Sequence, residues 1–268
     1  MGIKNLFKFI DPVLIHGRLQ TYRDRRVAVD MSCLIYKAIC HENYMQHIAV
    51  YIDLFLRVFS IVYLIFDGTP PKSKEIVIRD RQSNQQKYNN PKKTPEIVEE
   101  IIEKYKNLSK IKIVISPQES DPQLAYMSLK GQVDFLITED SDLIVYGCDR
   151  IIFKLKPRGD CLVYKRERFE NFLKRYNWDF VTFKMICILC GCDYLKGGIK
   201  GLGFFKARKI FKKPFENELE LKEFLKIQFG VSDEFFQNFK VACESYTNQI
   251  IKTPTNSGPF NEMLLKNE

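Results

Sequence analysis

No apolar run in this chain of 268 residues approaches the roughly 20 needed to cross a bilayer. The first residues, Met1 to Phe9, lack the long apolar stretch and the cleavage site of a secretory signal. Leu6 stands where a myristoylation motif asks for Ser or Thr. These absences argue against a spanning or secreted protein, and a soluble intracellular one is expected. Histidine is scarce: His16, His41 and His47 are the only three. No Ser-His-Asp arrangement is visible, and no histidine or second cysteine pair completes a four-ligand zinc site with Cys187, Cys190 and Cys192. The eight cysteines follow no disulfide spacing and read as reduced, mostly buried thiols. Gly-Lys-Ser and Gly-Lys-Thr are missing, which excludes a Walker loop. Internal repeats and extended low-complexity tracts are absent too.

What is there begins with charge and patterning. The 42 Lys and Arg against 33 Asp and Glu give a net charge of +9, which favours a polyanionic partner. A hydrophobic content of 45% is enough to bury a core. Short β-branched runs recur at Val27 to Asp30, Ile61 to Asp67, Ile111 to Ile115, Val133 to Ile137 and Arg150 to Leu155, most of them closing on an acidic residue. Helical spacing lies between them, over Met31 to Cys40, Ile48 to Phe59, Pro95 to Leu108 and Pro122 to Lys130. The alternation predicts an α/β fold with a mainly parallel central sheet flanked by helices, over residues 1–164. A short basic excursion interrupts it at about 73–110, because Ser73 to Thr94 is rich in Lys, Arg, Gln and Asn. Beyond Tyr164 the strand signal disappears and helices are expected over 165–252, the last from Asp233 to Ile250. The remainder, 253–268, carries Pro254, Gly258 and Pro259 and is expected to be a loose tail.

Seven acids stand out: Asp30, Asp67, Glu119, Asp121, Asp140, Asp142 and Asp193. Ligands in parallel sheets bind beyond the carboxyl ends of the strands, where most of these residues fall. Glu119 with Asp121, and Asp140 with Asp142, each open a predicted helix with a one-residue gap. Either pair alone reads as helix capping. Convergence of several acids at one sheet edge reads differently, since like charges raise each other's pKa unless cations neutralise them. Oxygen ligands point to Mg²⁺ or Mn²⁺, and two such ions roughly 4 Å apart can clamp a phosphodiester.

The basic residues have matching work. Lys74 and Arg81, seven apart on a predicted helix, could neutralise a scissile phosphate, although each alone reads as a solvated charge. Tyr36, just after Asp30, could stack on a nucleobase or sit in the core. The run from Gly197 to Lys209 places a tight turn with Gly201 and Gly203 ahead of Lys206 and Arg208, a geometry that offers backbone N–H groups to phosphate.

At these residues the sequence resembles the family of flap endonuclease 1, exonuclease 1 and the xeroderma-type repair nucleases. The matching blocks are Met1-Gly2-Ile3, the strand ending at Asp30, Phe66-Asp67-Gly68, Glu119 to Tyr126, Thr138 to Leu143, and Gly191 to Leu195 with the glycine turn, covering Met1 to about Phe211 in family order. Glu119 with Asp121, and Gly147-Cys148, lie closer to exonuclease 1. Tyr36 and Pro70-Pro71 lie closer to the flap enzyme. The resemblance implies a PIN-like 5′ nuclease core and a helix-two-turn-helix at about 187–212 that holds a monovalent cation, often K⁺. It implies 5′-to-3′ exonuclease action on duplex DNA ends, nicks and gaps, cleavage of 5′ flaps, and a place in the nucleus. By residue it makes the seven acids the ligands of two Mg²⁺ or Mn²⁺, Lys74 and Arg81 a basic gateway pair, Tyr36 a stacking position and Gly2 the amino end near the site. A monomer is expected.

Two departures qualify the match. The stretch from Arg81 to Glu119 is shorter than the family's helical arch, and no Gln-x-x-Leu-x-x-Phe-Phe sliding-clamp motif follows, as in a compact form or a truncated chain. Three rivals stand beside this reading. A non-catalytic junction-binding module of the same fold would be expected to have lost several of the acids. A PIN-like RNA nuclease fits the glycine turn less well. A membrane-surface protein would need an amphipathic basic helix.

Overall fold

The computed structural model describes residues 2–69, 94–255 and 258–265. Seven strands form one sheet in the order β1-β7-β6-β5-β2-β3-β4. They are β1 (Ile15–Arg18), β2 (Arg26–Asp30), β3 (Ile61–Phe66), β4 (Ile111–Ile115), β5 (Phe135–Ile137), β6 (Arg150–Phe153) and β7 (Asp160–Lys165). Neighbours from β6 through β5, β2 and β3 to β4 run parallel, and β7 pairs antiparallel with β6 and β1. The strand order reverses at β2, whose neighbours are β5 and β3. The crevice of such a sheet therefore opens at the carboxyl ends of these central strands.

Alternate residues of each strand feed two different cores, as the two-residue period requires. Val27, Val29, Val62, Leu64, Ile137 and Ile152 face one layer. That layer is built by α2 (Met31–Ala38), α3 (Tyr44–Val58) and α4 (Thr94–Tyr105). Ala28, Ile65, Leu136 and Ile151 face the other. There α1 (Leu6–Ile10), α5 (Ser120–Leu129), α6 (Asp142–Val145) and α7 (Arg166–Leu173) pack. The same core continues without a break into α8 (Phe180–Leu189), α9 (Phe204–Ile210), α10 (Glu218–Phe229) and α11 (Asp233–Ser245). Phe9 shows why, since it stacks on Phe204 and Phe183 across the boundary expected near residue 164.

Four expectations are corrected. The excursion expected over about 73–110 does not extend through α4, because Ile97 and Ile101 are buried against the sheet; Lys74 and Arg81 lie outside the described residues. Strands β1 and β7 were not anticipated: β1 is only four residues long and contains Gly17, and β7 pairs antiparallel at its edge of an otherwise parallel sheet. The last helix stops at Ser245 and does not reach Ile250. The tail expected to be loose forms a hairpin of β8 (Gln249–Thr255) and β9 (Gly258–Leu265). Gln123 of α5 anchors it: its side-chain amide donates to the Lys252 carbonyl at 2.9 Å and its oxygen accepts from the Lys252 N–H at 2.7 Å.

Candidate active site

Asp30 ends β2 and is 3% exposed. Its carboxylate caps α2 by accepting from the Cys33 N–H at 3.2 Å and takes a second bond from the Thr138 hydroxyl at 2.7 Å. Burial pushes the carboxyl up to about 6; the Cys33 and Thr138 bonds oppose this, and the charge of Asp67 adds to it. Asp67 follows β3 and accepts from the Ser32 hydroxyl at 2.5 Å and from the Ser120 N–H at 2.7 Å. That second bond ties the end of β3 to the first turn of α5, between Glu119 and Asp121. Gly68 makes the approach possible, because a Cβ there would stand 1.9 Å from the Ser116 carbonyl oxygen.

Thr138 carries the link onward. Its hydroxyl accepts from the Asp140 N–H at 3.0 Å, and the Asp140 carboxylate accepts from the Asp142 N–H at 3.0 Å. Capping is thus part of what Asp30 and Asp140 do. Glu119, by contrast, sits at the N-cap of α5 without capping it through its side chain. The amino end closes this side of the site. The Ile3 N–H donates to the Ser141 hydroxyl at 3.0 Å, and a Cβ on Gly2, whose φ is +83°, would lie 2.4 Å from an Asp140 carboxylate oxygen. Asp121 and Asp142 both act on the buried phenol of Tyr146, helping to raise its pKa after burial itself.

Asp193 stands half-buried in a turn closed by the reciprocal backbone bonds of Cys192 and Leu195. Its neighbour Tyr194 meets the Tyr146 hydroxyl at 3.2 Å. The turn leads into the glycine segment between α8 and α9. There Gly201 and Gly203 face open space, Lys206 is exposed, and Arg208 lies over the exposed Phe205 ring at 4.5 Å. Tyr36 projects from α2 with 51% of its surface exposed.

Hydrogen bonds therefore gather the acids in two sets, Asp30 with Asp140 and Asp142 through Thr138, and Asp67 with Ser120 between Glu119 and Asp121; the two meet at neighbouring residues of α2, where Ser32 bonds Asp67 and Cys33 bonds Asp30. Among the described residues no group of three His, Cys, Asp or Glu side chains is placed to hold a metal ion as it stands. The donor chemistry does suit a hard cation, being all carboxylate oxygen around a buried acid whose ionisation a cation would relieve. Ser32, Ser120 and Thr138, which orient the acids, escaped sequence reasoning as contributors. Their only signal was a place within two residues of an acid.

Residues 1–88 match the XPG N-terminal domain, and residues 110–193 match the XPG I-region. The chain belongs to the XPG family. Exonuclease 1 of Danio rerio is 26% identical over 95% of this XPG-family chain, which spans 36% of that relative's length. The catalytic core of Rad2, solved with a DNA substrate, superposes with a TM-score of 0.73 at 22% identity, over 99% of this chain and 91% of that one. The Holliday junction-resolving enzyme GEN1, solved with product DNA and Mg²⁺, superposes with a TM-score of 0.66 at 18% identity, over 94% and 66%. Both likenesses show the shared fold. Among the described residues no helix is long and apolar enough to cross a membrane.

Proposed function

We propose that this chain is a structure-selective, divalent-metal-dependent 5′ DNA nuclease of the nucleus. It acts as a 5′-to-3′ exonuclease on duplex ends, nicks and gaps and as a 5′-flap endonuclease. The observation that carries the reading is the gathering of Asp30, Asp67, Asp140 and Asp142 in two adjoining hydrogen-bonded sets at the carboxyl ends of the central strands, in a protein of net charge +9. Asp30, Asp67, Glu119, Asp121, Asp140, Asp142 and Asp193 would hold two Mg²⁺ or Mn²⁺. When bound, these supply an activated water and neutralise charge on the phosphodiester. The chain's own residues orient that machinery. Thr138 and Ser32 fix the carboxylates of Asp30 and Asp67, and the Gly2–Ile3 segment packs against Asp140 and covers it on one side. Lys206 and Arg208, with the open backbone at Gly201 and Gly203, grip the duplex through its phosphates, without reading sequence. A K⁺ ion at these turns belongs to the same reading. Lys74 and Arg81 would steady the scissile phosphate, and Tyr36 offers an exposed ring to an unpaired base.

The test is cleavage of 5′-labelled and 3′-labelled DNA, comparing a recessed duplex with a 5′-flap duplex, in Mg²⁺ and in EDTA. Stepwise 5′ products are expected from the recessed duplex. They should disappear in EDTA and fall at least about a hundredfold in Asp142→Ala, the scale of several kcal/mol of lost charge stabilisation. Tight binding of both substrates with no metal-dependent cut of either would overturn the reading.

A further inference from the structure

The XPG I-region ends at residue 193, yet a side chain from well beyond it reaches the acids. Tyr246, just past the end of α11, is fully buried, and its hydroxyl donates to an Asp142 carboxylate oxygen at 3.1 Å. The ring has little freedom. It packs edge-on against Tyr146 and Tyr194, each with centroids 5.0 Å away. Those two phenols meet at 3.2 Å, and Gln249 donates to the Tyr194 hydroxyl at 3.1 Å while also bonding back to the Ser245 carbonyl. Two bonds from Gln123 then fasten β8 at Lys252 to α5, the helix that carries Asp121.

We infer that Tyr246 is a positioning residue for Asp142: the C-terminal segment locks its ring in place so that its hydroxyl holds the carboxylate in the orientation a divalent cation requires. The inference rests on the metal-dependent reading above. Groups that orient a metal-binding side chain commonly change affinity about tenfold or more when removed. A tyrosine that only filled the core would keep that role as phenylalanine, so deleting the hydroxyl alone separates the two possibilities. Tyr164 supplies the control. It is also fully buried, and its hydroxyl has no hydrogen-bond partner among the described residues.

The experiment titrates Mn²⁺ into the full chain and reads free Mn²⁺ by electron paramagnetic resonance, for wild type, Tyr246→Phe and Tyr164→Phe. Circular dichroism establishes that each is folded. Half-saturation is expected to rise roughly tenfold in Tyr246→Phe and to stay within twofold of wild type in Tyr164→Phe. In an Asp142→Asn background, adding Tyr246→Phe should leave half-saturation unchanged. Unaltered affinity in Tyr246→Phe, equal weakening in both backgrounds, or a wild type that takes up no Mn²⁺ would each overturn the inference. A wild type that binds Mn²⁺ but cuts no DNA would sink the nuclease reading and leave this one standing.

Discussion

A carboxyl group sealed to 3% exposure at the end of a strand is costly to ionise, and a second acid beside it raises the cost. For Asp30 the consequence is a dependence of stability on pH. Its folded pKa of about 6 lies above the ordinary 3.8, so between these values the folded state binds the extra proton. The contribution is fully present below about pH 4 and is lost as pH rises through about 6. In EDTA, the unfolding free energy of wild type from urea titrations should fall relative to Asp30→Asn over that window by roughly 3 kcal/mol, as expected for a carboxyl raised from 3.8 to about 6. A constant difference between the two proteins from pH 3.5 to 7 would contradict the burial argument. The importance of Asp30 could be read from the sequence because it ends a β-branched run. Its supports could not, since Thr138 lies 108 positions away and only the parallel pairing of β2 with β5 brings them together.

Elements that follow from local period emerged close to where the sequence puts them. The carboxyl ends of β2, β3 and β5 carry the expected acids because a buried parallel strand is a continuous apolar run that stops where solvent or a site begins. The hairpin of β8 and β9 was not legible. Its turn residues read as loop, and what steadies β8 is a pair of bonds from Gln123 to the Lys252 backbone, a partner 129 positions away. Gln123→Leu would take from the half-buried N–H and C=O of Lys252 in β8 their Gln123 partners, a cost of about 1–3 kcal/mol. The expected result is a lower thermal midpoint and faster amide exchange at Ile250 to Lys252, with protection in β2 and β3 retained. Uniform loosening of the sheet would mean that Gln123 supports the whole core and not this element.

At the scale of the molecule, composition announced a partner without placing it. The charge of +9 is a property of the sum, whereas the bonded acids are a local exception that only strand order reveals. If the glycine segment grips duplex phosphates, affinity for DNA should fall steeply with salt. Lys206→Ala should then weaken binding alike across sequences and reduce the slope of log affinity against log salt by about 1. An unchanged slope would move the grip elsewhere. The continuity of the core across residue 164 was hidden for the same reason as the hairpin. Sequence shows where helices begin, not which aromatic rings they share.

The hydrogen bond from the Ile3 N–H to the Ser141 hydroxyl has a bearing on how the protein is made. Ile3 leaves the ribosome early, but Ser141, which receives it, follows 138 positions later, and Tyr246 comes later still. Synthesis at about 5–20 residues per second leaves the amino end waiting for roughly 7–30 seconds without its dock. An unfinished chain lacking β8 therefore carries all seven acids but not the full set of contacts around them, and the surroundings of the acids are among the last parts of the molecule to be completed.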